Sequence, residues 1–373
     1  MSYDVSRARV ECPATTRAAY LNAGTFGPLP RVSSDAMHAH LERSFEQGRI
    51  GHAGLERWIR LMDRVREAFA TTLAANVEEI ALTHCTTDGC NTVVWGLPFE
   101  ASDEVVTTTH EHPGLTAPLE ELARVRGVRV HAVDPELDAI VSRVGPGTRL
   151  VALSHVLWTN GAVLPIAEIA RLVRERTEGR AFVLVDGAQS VGVIDVAPAT
   201  LGVDAYTVSG QKWLCGPSGT GALWVRPEAL DRLGTPWPWY LSKHRGPSGA
   251  SEWTSARRLD ASTLGMTSLA GAEASLAWQK ERWDAGGGVH AARLASELRA
   301  RLRERAGARV VEVAAPSSLV SFVVDGHSAG SIAHRLEERG VLVRSIPGLH
   351  YVRASVGLWN DEADLERLVR ALP

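Results

Sequence analysis

The sequence predicts an α/β protein with a large, mainly parallel sheet domain and a smaller α+β domain at the C-terminal end. Between about residues 80 and 225, short apolar runs alternate with amphipathic stretches, which is the pattern of parallel strands joined by crossover helices. Beyond about residue 305, four further strand candidates alternate with two helices, as in an α+β domain. The chain has 373 residues, of which 45% are hydrophobic, so it is long enough to form both cores.

The N-terminal half follows this pattern element by element. A short strand is predicted at 19–22, and apolar residues at helical spacing predict helix between about residues 33 and 72. The turn-forming stretch 24–30 separates the two. Strand candidates rich in Val, Leu, Ile and Ala then recur at 80–82, 104–106, 150–153, 182–185, 205–208 and 222–225.

The C-terminal half begins with an irregular stretch at 234–253, rich in Pro, Gly and Trp, which predicts a lid or a connection. A helical pattern follows from about residue 267 to 305, interrupted by three glycines at 286–288. The remaining candidates are strands at 309–313, 319–324, 341–344 and 351–356 and helices at 329–338 and 362–371. We therefore expect an N-terminal segment packing on the small domain (1–30), a large domain (31–255), and a linking helix with the small domain (256–373).

Composition narrows the class of protein. The net charge of −3 comes from 40 basic and 43 acidic side chains mixed along the chain, so we expect neither a nucleic-acid nor a membrane partner. Four scattered cysteines, none at CxxC spacing, favour reduced thiols over a disulfide framework. The N-terminus has no apolar run after a basic start, and no stretch of about eighteen apolar residues occurs. We expect a soluble, cytoplasmic enzyme.

The strongest chemical signal is a lysine inside a glycine-rich bend. Lys212 lies between the strand candidates at 205–208 and 222–225. Because lysine is nearly always solvated, this placement predicts a desolvated amine whose lowered pKa suits Schiff-base chemistry. An exposed turn lysine is the alternative, and for Lys212 taken alone it is the commoner case.

Two further elements accompany this lysine. Asp186 ends the strand candidate at 182–185, at the position where open α/β sheets bind their ligands, although helix capping explains it as well. Thr86 and Thr87 open a helix after the strand at 80–82. Backbone N–H groups and hydroxyls at such a helix start form an anion site suited to a phosphate, and capping alone is again the alternative.

Together these elements resemble the class V aminotransferase family of pyridoxal 5′-phosphate (PLP) enzymes, fold type I. The family includes cysteine desulfurases, selenocysteine lyases, kynureninases and isopenicillin N epimerase, and the order and spacing of motifs agree over nearly the whole chain. The resemblance implies that Lys212 carries PLP as a Schiff base, that Asp186 pairs with the pyridine nitrogen and that Ala188 lies beneath the ring. It also implies a ring-hydroxyl contact for Gln189 and phosphate contacts for Thr86, Thr87, Ser209 and Gln211, the last in place of a commoner histidine.

His112 falls where this family stacks an aromatic or imidazole ring on the cofactor, and we expect it to take part in catalysis. His110 and His112 also stand at strand spacing, which suits metal ligands. A third ligand at fitting spacing is not found in the sequence, so we predict no metal site.

The resemblance extends to the substrate side. Arg353 stands where the family's arginine grips the substrate α-carboxylate through two hydrogen bonds, with a surface salt bridge as the alternative. Asn22 resembles a substrate-facing N-terminal segment. Trp158 replaces the asparagine usual in desulfurases, which makes Asn160 a candidate substitute, although a turn before Gly161 explains it at least as well.

Thr263 resembles the family's residue that reaches the phosphate of a neighbouring subunit, and it therefore implies a homodimer with active sites at the interface. Persulfide-forming desulfurases need a mobile cysteine near 344–353, whereas this chain has none after Cys215. We therefore predict a C–S or C–Se β-eliminating lyase or an epimerase-like enzyme acting on an α-amino acid. Epimerisation requires a second acid/base, such as His112, Tyr240, His244 or His350. The alternatives are an aminotransferase with a 2-oxo acid acceptor and, outside enzymes, an inactive PLP-fold scaffold.

Overall fold

The computed structural model describes residues 3–246 and 249–373. The helices are α1 (Val5–Glu11), α2 (Ala14–Arg17), α3 (Arg31–Gln47), α4 (His52–Thr72), α5 (Thr86–Gly96), α6 (Pro113–Arg126), α7 (Leu137–Arg143), α8 (Ile166–Thr177), α9 (Pro227–Leu230), α10 (Met266–Arg282), α11 (Gly288–Glu304), α12 (Ala329–Glu338) and α13 (Glu362–Ala371). The strands are β1 (Ala19–Tyr20), β2 (Ile80–Thr83), β3 (Glu104–Thr108), β4 (Arg129–Val133), β5 (Thr148–Ser154), β6 (Phe182–Asp186), β7 (Ala205–Ser209), β8 (Gly221–Val225), β9 (Lys243–Gly246), β10 (Gly249–Glu252), β11 (Ala308–Val310), β12 (Leu319–Val324), β13 (Val341–Leu342), β14 (Arg344–Ser345) and β15 (Val352–Ser355).

The large sheet has seven strands in the order β2-β8-β7-β6-β5-β3-β4. Its strands run parallel except β8, which is antiparallel to both of its neighbours. The carboxyl ends of β2, β3, β5, β6 and β7 therefore meet at one edge of the sheet. In open α/β sheets this edge is where ligands bind, so the topology fixes where a site is to be sought.

The inner strands are apolar along their whole length because both faces of the sheet are covered. Along β6, Phe182 and Leu184 pack into one core cluster, and Val183 and Val185 pack into the other. Successive side chains of a strand point to opposite faces, so a strand buried on both sides reads as a continuous hydrophobic run. This pattern confirms the predicted α/β fold class with its mainly parallel sheet.

A second, antiparallel sheet has the order β11-β12-β15-β14. Helices α11, α12 and α13 pack on it around a separate apolar cluster that includes Leu294, Phe322 and Leu365. Strand β1, near the N-terminus, pairs in parallel with β13 of this region. The predicted division into three parts at residues 30 and 255 stays a prediction, since it names boundaries that these contacts do not fix.

Three details differ from the sequence-based expectation. The helical stretch predicted at 33–72 is two helices, α3 and α4, because Gly48 and Gly51 between them adopt positive φ angles of 75° and 87°. The stretch 234–253, expected to be irregular, contains the antiparallel pair β9–β10. Strand β4 was not predicted, because it is an edge strand with partly exposed, polar positions.

Among the residues that the structure describes, no helix is both long and apolar enough to cross a bilayer.

Candidate active site

The candidate site lies at the carboxyl edge of the large sheet. Strand β6 ends at Asp186, and β7 ends at Ser209, three residues before Lys212. Helix α5 begins at Thr86, shortly after β2 ends. On the opposite wall, β15 of the small sheet contributes Arg353. The topology thus brings together the main elements that the sequence pointed to separately.

Lys212 lies in the connection between the antiparallel neighbours β7 and β8. The connection is bonded to itself, because Gly210 N–H donates to Thr220 O (2.8 Å) and Gly216 N–H donates to Gly210 O (2.8 Å). The N-terminal segment closes over it where Gly27 N–H donates to Gln211 O at 2.9 Å. A Cβ on Gly27 would lie 2.0 Å from Lys212 O, so only glycine fits this approach.

The amine of Lys212 is electrostatically perturbed. Although part of the side chain remains accessible to the cleft, burial lowers the pKa of Lys212 to about 8. This value of about 8 already includes the charge of Arg353, which lowers the pKa, and the charges of Asp186 and Cys85, which raise it. A lysine amine with such a pKa is partly neutral near pH 8 and can act as a nucleophile or base.

Asp186 is buried, with 5% of its surface exposed, and its carboxylate accepts a hydrogen bond from Ala188 N–H (2.8 Å). Burial raises the pKa of Asp186, and Lys212 together with the Ala188 N–H only partly offsets this. The structure describes no cation in ion-pair contact with this carboxylate. A protonated ring nitrogen placed against Asp186 would supply the missing positive charge.

The start of α5 offers an anion site. No side chain caps this helix end at Cys85, as far as the structure describes it. The hydroxyl groups of Thr86 and Ser209 lie 3.2 Å apart, so β7 and α5 converge there. Gly114 packs so closely on Thr87 that a Cβ would approach Thr87 Oγ1 to 2.3 Å. Free N–H groups and hydroxyls at a helix N-terminus are suited to a phosphate.

His112 caps the N-terminus of α6 and faces the cleft. Its Nδ1 accepts a hydrogen bond from Gly114 N–H at 3.0 Å, so a hydrogen on the neutral ring sits on Nε2. Its ring meets the ring of Trp158 edge-on, with centroids 4.9 Å apart. Burial, as the largest cause, and the charges of Lys212, Arg353 and Arg344 together lower the pKa of His112 to about 4. The imidazole is therefore neutral at physiological pH.

Arg353 is only 1% exposed, and its Nη1 donates to Trp158 O at 2.7 Å. Its Nε has no hydrogen-bond partner, and no carboxylate of the described residues forms an ion pair with it. Burial, together with the charge of Arg344, lowers the pKa of Arg353 to about 9. A Cβ on Gly24 would lie 2.6 Å from Arg353 Nη2, so the N-terminal segment packs directly on the guanidinium. A buried cation in this state is suited to an anionic ligand.

Sequence reasoning missed Arg344, which lies opposite Arg353 in the antiparallel register of β14 and β15. Like charges directly opposite each other are unfavourable in a sheet. Arg344 is exposed, and its charge lowers the pKa of both Arg353 and His112. The site therefore has a second cation at its mouth, and only the strand register reveals it.

Three predicted contact residues are already engaged within the protein. The side chain of Gln189 bonds Gly24 O (2.8 Å) and the indole N–H of Trp213 (2.8 Å), so fewer of its amide groups remain for a ring hydroxyl. Asn22 Oδ1 accepts from Thr25 Oγ1 at 2.8 Å. Asn160 Oδ1 accepts from Ala162 N–H at 3.0 Å, the turn geometry that competed with a substrate role. Their ligand contacts stay predictions.

Thr263 is not part of this cluster in its own chain. It is exposed, has a positive φ of 46°, and lines a groove of about 1130 Å³ between α3 and α4. Two candidates for a second acid/base are not brought into the cluster by the described side chains. Tyr240 is 53% exposed, and His244 falls where only the backbone is described. His110 Nδ1 lies 2.8 Å from Thr159 Oγ1. The described part of the chain contains no cluster of metal-ligating side chains.

Two buried polar groups behind the site were also missed. Glu111 accepts hydrogen bonds from Thr108 and Ser154, and burial raises its pKa to about 7. His155 Nδ1 lies 2.8 Å from the Tyr206 hydroxyl, which also bonds Ser190 Oγ. In sequence, Glu111 stands between His110 and His112, and His155 follows Ser154. Neither pattern distinguishes these two residues from solvated polar residues at strand ends.

The unsatisfied polar atoms test whether PLP fits this cleft. Among the described residues, buried atoms without a hydrogen-bond partner include Gln211 Oε1, Arg353 Nε, Ser355 Oγ and Trp158 Nε1, all at or beside the cleft. Six further atoms of this kind lie elsewhere in the described chain, but buried polar groups are normally paired, so the four at the cleft are consistent with a polar ligand there. An amine, an unpaired carboxylate and an anion site at a helix start match an aldehyde, a pyridine nitrogen and a phosphate. The residues present fit PLP.

Comparison with known proteins agrees with this chemistry. The sequence model of the aminotransferase class-V family matches residues 19–368. A probable cysteine desulfurase of Pseudomonas aeruginosa is 33% identical, covering 95% of this chain and 92% of its own. The isopenicillin N epimerase of Streptomyces clavuligerus is 28% identical, covering 94% and 93%.

Two solved structures are similar along nearly the whole chain. A mutant of C-DES with glycine covalently linked to its PLP cofactor has a TM-score of 0.93 and 29% identity, covering 97% of this chain and 98% of that one. C-DES in complex with cysteine persulfide, where it is described as a cystine C–S lyase, has a TM-score of 0.91 and 30% identity. That match covers 97% of this chain and 100% of the other.

Proposed function

We propose that this chain, which belongs to the class-V aminotransferase family and is a PLP-dependent enzyme, cleaves the C–S or C–Se bond of a small α-amino acid by β-elimination. One observation carries the proposal: a desolvated lysine amine, Lys212, lies close to a buried guanidinium, Arg353, that has no carboxylate partner in the described chain. An amine and an anion-binding cation in one cleft are what an α-amino acid requires.

PLP, when bound, supplies an aldehyde that joins an amine and a protonated ring that withdraws electrons from Cα. In our assignment Lys212 Nζ holds the aldehyde and Asp186 holds the ring nitrogen. Thr86, Thr87, Ser209 and Gln211 surround the phosphate, and Ala188 lies beneath the ring. Two observations support this assignment. The Asp186 carboxylate has no ion-pair partner among the described residues, and Thr86 and Ser209 meet at the start of α5, where Cys85 makes no side-chain capping bond.

The protein groups then divide the work on the substrate. Arg353 binds the α-carboxylate, and its guanidinium orients Cα toward Lys212. Once free, Lys212 Nζ takes the proton from Cα, because an amine with a pKa of about 8 is partly neutral near that pH. The neutral ring of His112 and the indole of Trp158 cover the cleft and exclude water from the proton transfer.

A persulfide relay through a protein cysteine has little support. All four cysteines precede residue 216, and none stands in the stretch 344–353. Cys12, Cys90 and Cys215 are buried, and burial raises the pKa of each thiol. Direct elimination requires only a base and a sulfur leaving group. The likeness to a cystine C–S lyase at 30% identity supports the same reaction.

Arg344 favours a substrate with a second anionic group. Its position opposite Arg353 leaves two cations at one wall, and neither has a carboxylate partner among the described residues. A substrate with two carboxylates would satisfy both and relieve their repulsion. Cystine has this form, and its elimination followed by hydrolysis with one water yields pyruvate, ammonia and cysteine persulfide.

An epimerase-like reaction is the second candidate. It is favoured by the 28% identity to isopenicillin N epimerase and by the neutral His112, which faces the cleft and carries a hydrogen on Nε2. In such a reaction Lys212 and His112 would exchange protons with Cα from different sides. Amino transfer to a 2-oxo acid is the third outcome that a test must separate.

We further propose that the enzyme is a homodimer acting in the cytoplasm. The groove lined by Thr263 is bordered by exposed apolar side chains, among them Leu41 (57% exposed), Ile50 (91%) and Leu55 (48%). Exposed apolar patches of this kind mark protein interfaces. A second copy seated there would bury them and would bring Thr263 toward the neighbouring cleft. The unpaired cysteines support a reducing compartment.

Product analysis tests the proposed reaction. The PLP-loaded enzyme is incubated with cystine, cysteine and selenocysteine, with and without added 2-oxo acid, and Lys212→Ala serves as the inactive control. We expect pyruvate without an acceptor from the wild type, and neither pyruvate nor a borohydride-stable PLP adduct from Lys212→Ala. Cα inversion without pyruvate would favour the epimerase, and strict dependence on a 2-oxo acid would favour the aminotransferase.

A further inference from the structure

Glu111 is a buried acid that the proposed reaction does not use. It is 6% exposed, and its carboxylate has no cation in ion-pair contact within residues 3–246 and 249–373. Its hydrogen bonds come from two strands: Thr108 Oγ1 at the end of β3 (2.7 Å) and Ser154 N–H at the end of β5 (3.1 and 3.0 Å). The hydroxyl of Ser154 donates to it as well. A carboxylate so bonded ties the two strand ends together.

These bonds place Glu111 between two residues of the cofactor site. On one side, Ser154 is the register partner of Asp186 in the neighbouring strand β6. On the other side, Glu111 directly precedes His112, whose ring faces the cleft. The preceding residue is held too, because His110 N–H donates to Thr108 Oγ1 at 3.3 Å. The loop that presents His112 has further contacts, since Thr109 N–H donates to Val133 O (2.9 Å) and His110 Nδ1 lies 2.8 Å from Thr159 Oγ1. Glu111 is the side chain that joins this loop to the ends of both β3 and β5.

We propose that Glu111 is a positioning residue that holds the His112 loop against the strand ends, so that the His112 ring and the Asp186 carboxylate keep a fixed separation in the cleft that would hold PLP. The inference rests on the proposed role of the cleft as the PLP site. It concerns geometry, because the carboxylate accepts hydrogen bonds from strand ends and does not itself contact the cleft.

The electrostatic environment of Glu111 agrees with this positioning role. Burial is the largest influence on the pKa of Glu111 and raises it, the hydrogen bonds from Ser154 and Thr108 lower it, and the charge of Asp186 raises it, with a net pKa of about 7. Such buried, fully bonded groups rigidify a site.

Two variants separate anchoring from bulk. Glu111→Ala removes every hydrogen bond of the carboxylate and leaves the bonds of Thr109 and His110 in place. Glu111→Gln keeps one acceptor, and its amide can donate to the hydroxyls of Ser154 and Thr108, which accept as well as donate. Glu79 is the matched control: it is 8% exposed and bonded to the indole N–H of Trp224 and to Asn76, at the opposite end of β2 from the site. Ser154→Ala, which removes a single donor, is the milder variant in case Glu111→Ala does not fold.

The measurements are the dissociation constant of PLP from the full chain and the visible circular dichroism per bound PLP, with thermal unfolding recorded alongside. For Glu111→Ala we expect PLP binding weaker by about tenfold or more and a reduced dichroic signal, since hydrogen bonds to a charged group are lost. Glu111→Gln should stay within about threefold of the wild type, on the same reasoning. Ser154→Ala should shift both readouts in the direction of Glu111→Ala, by less.

Glu79→Ala should lower the unfolding temperature but leave PLP binding and the dichroic signal unchanged. If the Glu111 and Ser154 variants behave as Glu79→Ala does, Glu111 is merely structural and the inference is wrong. If the wild type itself binds no PLP, the proposed function fails together with it. The two failures are therefore distinguishable.

Discussion

Arg66 and Arg353 are two equally buried arginines with opposite surroundings. Arg66 is 2% exposed and Arg353 is 1% exposed. The guanidinium of Arg66 makes two hydrogen bonds to the Asp260 carboxylate, of 2.8 and 2.7 Å, and one to Ile80 O of 2.7 Å. The guanidinium of Arg353 has no carboxylate partner among the described residues and bonds only Trp158 O, while the Nε of both arginines lacks a hydrogen-bond partner.

The difference in partners separates Arg66, a structural arginine, from Arg353, which we propose binds a ligand. Arg66 joins α4 to the segment that leads to Thr263, and its charge is neutralised within the fold. Burial of Arg353 costs desolvation free energy that no carboxylate of the described chain offsets, which supports the proposal that a ligand supplies the compensating anion. The exposed fractions of Arg66 and Arg353 do not separate the two residues, whereas their ion-pair partners do.

The largest expected effect is on stability, and it has opposite outcomes at the two positions. Arg66→Leu should lower the free energy of unfolding by about 3 to 5 kcal/mol, because it leaves Asp260 buried and unpaired. Arg353→Leu should leave it within about 1 kcal/mol of the wild type or raise it, since an uncompensated charge is removed. Urea unfolding of both variants measures the difference.

Activity should rank these variants in the reverse order. For Arg353→Leu we expect kcat/KM on cystine to fall about 100-fold or more, because two charged hydrogen bonds to the carboxylate are lost. If Arg353→Leu unfolds as readily as Arg66→Leu and retains activity, Arg353 is a structural residue and the proposed ligand-binding role is wrong.

An intermediate effect concerns the pH at which the apo chain takes up PLP. Only the neutral amine of Lys212 reacts with an aldehyde, so the rate of uptake should rise about tenfold per pH unit below the pKa and level off near pH 8. Arg353 lowers the pKa of Lys212, and Arg353→Leu should therefore move this plateau to higher pH. Stopped-flow absorbance at several pH values measures it.

Arg353→Lys keeps a positive charge and serves as the control, with a plateau close to that of the wild type. Identical profiles for the leucine and lysine variants would mean that the charge of Arg353 does not reach Lys212.

The smallest expected effect belongs to the exposed Arg344. Because Arg344 is solvated, we expect Arg344→Gln to raise KM for cystine only about three- to tenfold, and to change KM for cysteine less. Initial-rate kinetics with both substrates decide this, with Arg309→Gln, on an edge strand of the same sheet, as the control. Equal changes for the two substrates would remove the argument for a second anionic group.

The sequence predicted the elements that depend on local pattern. The continuous apolar runs of β5 and β6, the glycine-rich bend around Lys212 and the strand that carries Arg353 were each visible in the chain. The family match confirms the predicted recognition, fold class and PLP dependence. The roles of the individual site residues stay predictions.

What sequence reasoning missed depends on pairing between distant segments. Arg344 gains its meaning only from the register that sets it opposite Arg353, and Glu111 only from the bonds that join it to Ser154 of another strand. Gln189 looked free for a ligand because its partner Gly24 is set by the fold, whereas the turn that engages Asn160 was already one of the two expectations from the sequence. No hydrophobic period encodes such contacts.

The reversed strand β8 has a consequence for how the enzyme acquires its cofactor. Lys212 lies in the connection 210–220 between β7 and β8, and the bonds from Gly210 N–H to Thr220 O and from Gly216 N–H to Gly210 O restrict its backbone when the cleft is empty. The conformational entropy of this segment is lost during folding and is not lost again when the cofactor binds. The apo enzyme should therefore be preorganised, and capture should occur in a single kinetic phase without a slow rearrangement.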